Sequence, residues 1–90
     1  MAQIIEKITI KNKLGIHARP AALLVQRASK FKSVIELENE NVKVNGKSIM
    51  GVMMLAAAFG SELTVAADGD DAEEAVEAIR TIIDSKFDEE

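Results

Sequence analysis

Candidate chemistry begins at the one histidine in the chain. His17 lies in Leu14-Gly15-Ile16-His17-Ala18-Arg19-Pro20-Ala21. Proline is tolerated only in the first turn of a helix, so Pro20 sets a helix start at His17 or Ala18. A helix start offers N–H groups with no intrahelical partner and the positive end of a dipole, which together favour an anion. The same positive end disfavours imidazolium and keeps the ring neutral and nucleophilic. Gly15 lets the backbone approach closely and take unusual dihedrals. Arg19 adds a guanidinium that can reach a phosphoryl group. A neutral imidazole, anion-accepting amides and an arginine are what a transient phosphohistidine needs, because phosphoryl transfer is mostly positioning and charge stabilisation. The plain alternative makes His17 a helix cap or a loop residue without chemistry.

Other motifs carry less. Gly46-Lys47-Ser48 matches the end of a P-loop, but Asn41 stands where the first glycine is required. Asp68, Asp70, Asp71, Glu73 and Glu74 lack the spacing of a calcium loop, and helix capping accounts for most of them. No cofactor or metal is expected. A single histidine supports no Ser-His-Asp assignment by sequence alone. Ile49, Met50, Val52, Met53, Met54 and Leu55 are more apolar than one buried helix face requires. Part of this cluster is core, and the surplus predicts an exposed methionine-rich patch suited to docking partners.

The elements that position these residues follow from periodicity. Residues 4–10 alternate with β-branched residues and read as a strand, with Ile8 and Ile10 on one face. Asn12, Lys13 and Gly15 break it. Residues 18–30 read as a helix with Ala21, Leu24, Val25 and Ala28 on its apolar stripe. Residues 33–38 form a second strand, in which Ile35 and Leu37 alternate with glutamates. Asn39-Glu40-Asn41 turns into a short third strand carrying Val42 and Val44. Ser48 is the expected N-cap of a short helix over 49–57. Leu63, Val65 and Ala67 mark a fourth strand. A last helix starts near Asp71, with Asp70 and Glu73 as a capping box and Ala72, Ala75, Val76, Ile79, Ile82 and Ile83 as its buried stripe. Residues 88–90 are expected to fray. The order β-α-β-β-α-β-α implies an α+β fold, with helices covering one face of a small antiparallel sheet.

Composition sets the outer bounds. Ninety residues, with 48% hydrophobic and 29% charged, fit one globular domain over 1–90. Cysteine is absent, which excludes disulfides, a thiol nucleophile and cysteine metal sites, and fits a reducing compartment. The net charge of −4 and the absence of Trp and Tyr argue against nucleic-acid binding. Met1-Ala2-Gln3 lacks the basic and apolar regions of a signal peptide. The longest apolar run, over 49–59, falls short of the ~20 residues a membrane span needs. A cytoplasmic monomer is the expectation.

Two motifs together resemble a known family. Gly15-Ile16-His17-Ala18-Arg19-Pro20-Ala21 and Lys47-Ser48-Ile49-Met50-Gly51-Val52-Met53 are similar to the HPr/NPr histidine phosphocarriers of the bacterial phosphoenolpyruvate phosphotransferase systems. The resemblance covers nearly the whole chain. It implies an open-faced β-sandwich with a four-stranded antiparallel sheet and three helices on one side. It implies that His17 is phosphorylated on Nδ1 by enzyme I, that Arg19 lies beside the phosphoryl group and that Pro20 sets the helix start. Ser48 matches a serine phosphorylated by HPr kinase/phosphorylase. Ile49, Met50 and Met53 match an apolar patch facing enzyme I, enzyme II A-domains and a transcription regulator. The implied role is a stoichiometric carrier in sugar uptake, not an enzyme in the strict sense. Residues 8–15 and 87–90 also resemble NPr of the nitrogen-related branch. The alternative is a regulatory binding module read through phospho-Ser48; a Crh-like regulator lacks the histidine, and His17 argues against that one. At Gln26 the chain departs from several family members, which carry a basic residue there.

Overall fold

The computed structural model describes residues 3–88; Met1, Ala2, Glu89 and Glu90 lie outside the described residues. The elements are β1 (Gln3–Thr9), α1 (Ala18–Ala28), β2 (Val34–Asn39), β3 (Val42–Asn45), α2 (Ile49–Met54), β4 (Glu62–Asp68), α3 (Ala72–Asp84) and a closing 3₁₀ turn (Lys86–Asp88). The strands lie in the order β1-β4-β2-β3, and every neighbouring pair is antiparallel. It follows that β1 and β2 run in the same direction, as do β3 and β4. A connection between strands of like direction cannot be a hairpin and must cross over. Those two crossovers carry α1 and α2, and α3 follows β4. The result is the expected open-faced β-sandwich.

Strand alternation decides which face is covered. The register aligns Ile4, Ala67 and Ile35 in one inward row. Val65, Leu37 and Val44 align in the next. Ile8, Ile35, Leu37, Leu63, Val65 and Ala67 are buried under the helices, whereas Ile5, Glu36 and Lys7 point to the open side. All the stripe residues expected on α1 and α3 are buried. Glu40 and Asn41 both adopt positive φ (50° and 70°) between paired Asn39 and Val42. That is the two-residue turn whose twist matches the flanking strands.

Several boundaries differ from the sequence expectation. α1 stops at Ala28 rather than residue 30, with Ser29 as its C-cap. α2 stops at Met54 rather than residue 57. Leu55 and Ala56 make i→i−3 bonds, and Ala56 then turns to φ 52°, a tightening that apolar periodicity does not encode. The Asp70–Glu73 capping box does not form. Asp71 is the N-cap of α3, and its side chain makes no capping bond. Its carboxylate turns instead to the loop between α1 and β2. It accepts hydrogen bonds from Lys32 N–H (2.8 Å), Ser33 N–H (2.9 Å) and Ser33 Oγ (2.5 Å). Gly69 permits this approach, because a Cβ there would lie 2.9 Å from Ser33 Cα.

The C-terminal segment is ordered by one ring. Lys86, Phe87 and Asp88 all adopt left-handed dihedrals (φ 57°, 55° and 60°), which are unfavourable for residues with a Cβ. Phe87 is fully buried, and its burial offsets that cost. Asp88, expected to fray, donates its N–H to Ser85 O at 3.0 Å.

Two outcomes are expected. The bonds to Asp71 lower its carboxyl pKa below the ordinary 3.8, with the Ser33 hydroxyl the largest cause and Lys32 N–H next. A group whose folded pKa is depressed stabilises the fold above its unfolded value, and loses that contribution as pH falls through the folded value. Asp71→Asn should therefore lower the melting temperature at pH 7, and the gap to wild type should close as pH falls below about 4; a pH-independent gap would contradict this. Phe87→Ala should cost about 3–5 kcal/mol in denaturant unfolding, and a cost under about 1 kcal/mol would place the ring outside the cooperative core.

Candidate functional site

The site is assembled where two loops meet. Gly15, before α1, adopts φ 70°, and a Cβ there would lie 2.5 Å from Ala57 O and 3.0 Å from Ala58 Cα. The next residue donates its N–H to that same carbonyl, Ile16 N to Ala57 O at 2.9 Å. Asn12, treated above as a strand breaker, is fully buried. Its Nδ2 donates to Gly15 O at 2.6 Å, while Gly15 N–H donates to Asn12 O at 3.1 Å. The Asn-x-x-Gly spacing was the available signal for this buried turn.

His17 then occupies the N-cap position of α1 in an extended conformation (φ −101°, ψ −164°). Its carbonyl starts the helix by accepting from Ala21 N–H at 2.9 Å. Its ring makes no capping hydrogen bond, which removes the side-chain-cap reading. The residue is half-buried. Pro20, third in the helix, contributes no N–H. Ala18 and Arg19 supply the first-turn N–H groups that no intrahelical carbonyl can accept. Arg19 is exposed in the same turn.

Ser48 is the N-cap of α2, as expected. Its Oγ accepts from Gly51 N–H at 3.1 Å, and its carbonyl accepts from Val52 N–H at 2.9 Å. The P-loop likeness of this segment has a structural answer. Gly46 N–H is spent on Ile35 O, and Lys47 and Ser48 N–H on Asn45. No run of amides is left to cradle a phosphate. Lys47 Nζ donates to Phe31 O at 2.7 Å and ties the start of α2 to the end of α1. That contact joins residues 16 positions apart, and no sequence pattern announces it.

The apolar cluster on α2 divides as expected. Val52 and Leu55 are buried, while Ile49, Met50, Met53 and Met54 are 46%, 76%, 44% and 69% exposed. Two further apolar residues were not singled out by sequence: Leu14 (76%) and Phe59 (61%) stand exposed beside Gly15 and Ala58 in the two meeting loops. Gln26 is exposed on α1. Charge is also segregated. Residues 7–35 hold seven Lys or Arg and no Asp or Glu, and residues 48–60 hold no charge at all. The two depressions described on the surface, about 220 and 210 Å³, lie on the open sheet face around Glu36 and Ala66, and neither is lined by α1 or α2. Among the described residues no helix is long and apolar enough to cross a membrane.

Comparison with known proteins agrees with this arrangement. The family model described as PTS HPr component phosphorylation site matches residues 4–85. Phosphocarrier protein HPr of Treponema pallidum is 47% identical over 87 residues, covering 97% of this chain and 99% of that protein. The HPr-like protein Crh of Bacillus subtilis is 46% identical over 78 residues, covering 87% of this chain and 92% of that one. The crystal structure of HPr-C-His from Thermoanaerobacter tengcongensis superposes with a TM-score of 0.90 at 54% identity, covering 100% of this chain and 99% of that one. Sequence motifs, fold and relatives converge: this chain belongs to the HPr family of phosphotransferase-system phosphocarriers.

Proposed function

We propose that His17 is the phosphoryl acceptor, charged by phospho-enzyme I and discharged to enzyme II A-domains during sugar uptake in the cytoplasm. The observation that carries this reading is the placement of His17. It is the one histidine, it starts α1, and its ring does not cap the helix. The Nδ1 lone pair attacks phosphorus, an N–P bond forms as the donor's bond to phosphorus breaks, and that electron pair leaves with the donor. The phosphate then lies at the positive end of α1, where the Ala18 and Arg19 N–H groups and the Arg19 guanidinium donate to its oxygens and offset its charge. All of these groups come from one chain, so a monomer suffices, and the whole of 1–90 acts as one carrier unit.

The segregated charge and the apolar patch support the partner assignment. A basic α1 side next to an uncharged α2 surface fits a partner that is acidic around an apolar centre. Ile49, Met50 and Met53 supply the apolar contact, and the basic residues steer encounter. Ser48 lies immediately before that patch with its Oγ half-buried at a cap. A phosphate there would add about −1.5 to −2 charges at the edge of the docking surface. We assign Ser48 a regulatory role on that ground, with an HPr kinase/phosphorylase as writer and a transcription regulator as reader. A similar solved protein is Crh, the Bacillus subtilis catabolite repression HPr, which fits a regulatory use of this fold.

His17→Ala should fold as wild type, within about 1 kcal/mol, and take up no acid-labile phosphate from phosphoenolpyruvate and enzyme I. Wild-type labelling of that variant would remove the acceptor assignment. Met50→Asp should weaken enzyme I binding by about ten-fold or more, because an unpaired charge must be desolvated in an apolar contact. Calorimetric titration gives the affinity, and thermal unfolding checks that this exposed position leaves the fold intact; an unchanged affinity would place Met50 outside the interface.

A further inference from the structure

We propose that the sulfur atoms of Met50, Met53 and Met54 form a reversible oxidation site that gates partner docking. The proposal rests on the docking role given to this patch above. Three of the four methionines in the chain stand on this one six-residue helix, and all three are exposed. The residues that anchor α2 to the core, Val52 and Leu55, are aliphatic and inert to oxidation. Oxidisable side chains therefore face outward and unreactive ones face inward. The chain has no Cys, Trp or Tyr, so among the described residues these thioethers are the readily oxidised surface groups. Residues 48–60 carry no charge of their own, so the patch is apolar until it is oxidised.

The oxidant is a peroxide. The sulfur lone pair attacks one peroxide oxygen, an S–O bond forms and the O–O bond breaks. The departing hydroxide takes the proton and leaves as water. Each thioether loses two electrons and becomes a sulfoxide, while the peroxide is reduced to water. A dithiol-dependent sulfoxide reductase reverses the change: the oxygen leaves as water and the dithiol becomes a disulfide. The sulfoxide is polar and strongly hydrated, so burying it against an apolar partner surface carries a desolvation cost that the thioether does not. Because the core side of α2 is untouched, the fold survives. Exposure orders reactivity, with Met50 (76%) and Met54 (69%) ahead of Met53 (44%).

The test treats the full chain with hydrogen peroxide and locates added oxygen by peptide mass mapping. The rate of phosphoryl uptake is then read against enzyme I concentration. The half-saturating concentration should rise about ten-fold with an unchanged plateau, melting should be retained, and the two epimer-specific methionine sulfoxide reductases together with dithiothreitol should restore the untreated curve. The variant Met50→Leu/Met53→Leu/Met54→Leu, compared with its own untreated sample, should show no effect of peroxide. Three results overturn the proposal: sulfurs that resist peroxide under conditions oxidising free methionine, sulfoxides that leave the curve unmoved, or equal peroxide sensitivity in the leucine variant. Met50→Asp separates this failure from that of the docking role. If it binds enzyme I as wild type does, the docking role fails; if it weakens binding while the sulfoxide does not, only the oxidation switch fails.

Discussion

The arrangement of this protein depends on one close approach, the contact of Gly15 with Ala57. Gly15 sits at φ 70° with no room for a Cβ, and Ile16 N–H closes the contact on Ala57 O. Asn12 holds the loop from inside, bonding Gly15 O while buried. The loop that leads into His17 is thereby fastened to the loop that leaves α2. A phosphohistidine relay needs its acceptor and its docking surface in fixed relation, because misplacement of the reacting atom by as little as ~1 Å is costly. On the proposed reading of His17 and the α2 patch, backbone sets that relation, with Lys47 bonded to Phe31 O as a second tie between the two helices.

The sheet explains why such a contact can exist. Strand order β1-β4-β2-β3 forces two crossovers over one face, and these carry α1 and α2. Both helices begin after turns, one with His17 and one with Ser48 as N-cap. The two caps differ in chemistry. Ser48 Oγ satisfies a helix N–H, whereas the His17 ring makes no capping bond and Pro20 removes one donor from the turn. The first-turn amides of α1 are thus left for an anion, as helix termini favour.

Much of this was legible in the sequence because it is local. Period-two alternation in residues 35–37 and 63–67, the apolar stripes of α1 and α3, Pro20 as a helix start and Ser48 as a cap all depend on neighbours a few positions apart. The unread parts depend on distant ones. Asp71 looked like helix capping, but its carboxylate serves Lys32 and Ser33, 39 and 38 positions away. Asn12 looked like a strand breaker and is a buried support. The short α2 ends early because Leu55 and Ala56 tighten into i→i−3 bonds, with Asn39 Nδ2 donating to Leu55 O at 3.1 Å. Phe87 holds a left-handed turn that takes in Asp88, a residue whose polar surroundings predicted fraying. In each case tertiary contact overrode a local preference.

On the proposed reading, a phosphate on His17 is received by the first turn of α1. The most direct measurement is a pair of amide NMR spectra, before and after phosphorylation by phosphoenolpyruvate and enzyme I, with a phosphorus spectrum of the product. The expected result is one acid-labile N-phosphoryl resonance, with large downfield shifts confined to the Ala18 and Arg19 amides and their neighbours in the Gly15 loop. A phosphate that leaves those two amides unmoved, or that shifts amides at Ser48 and α2 instead, would contradict it.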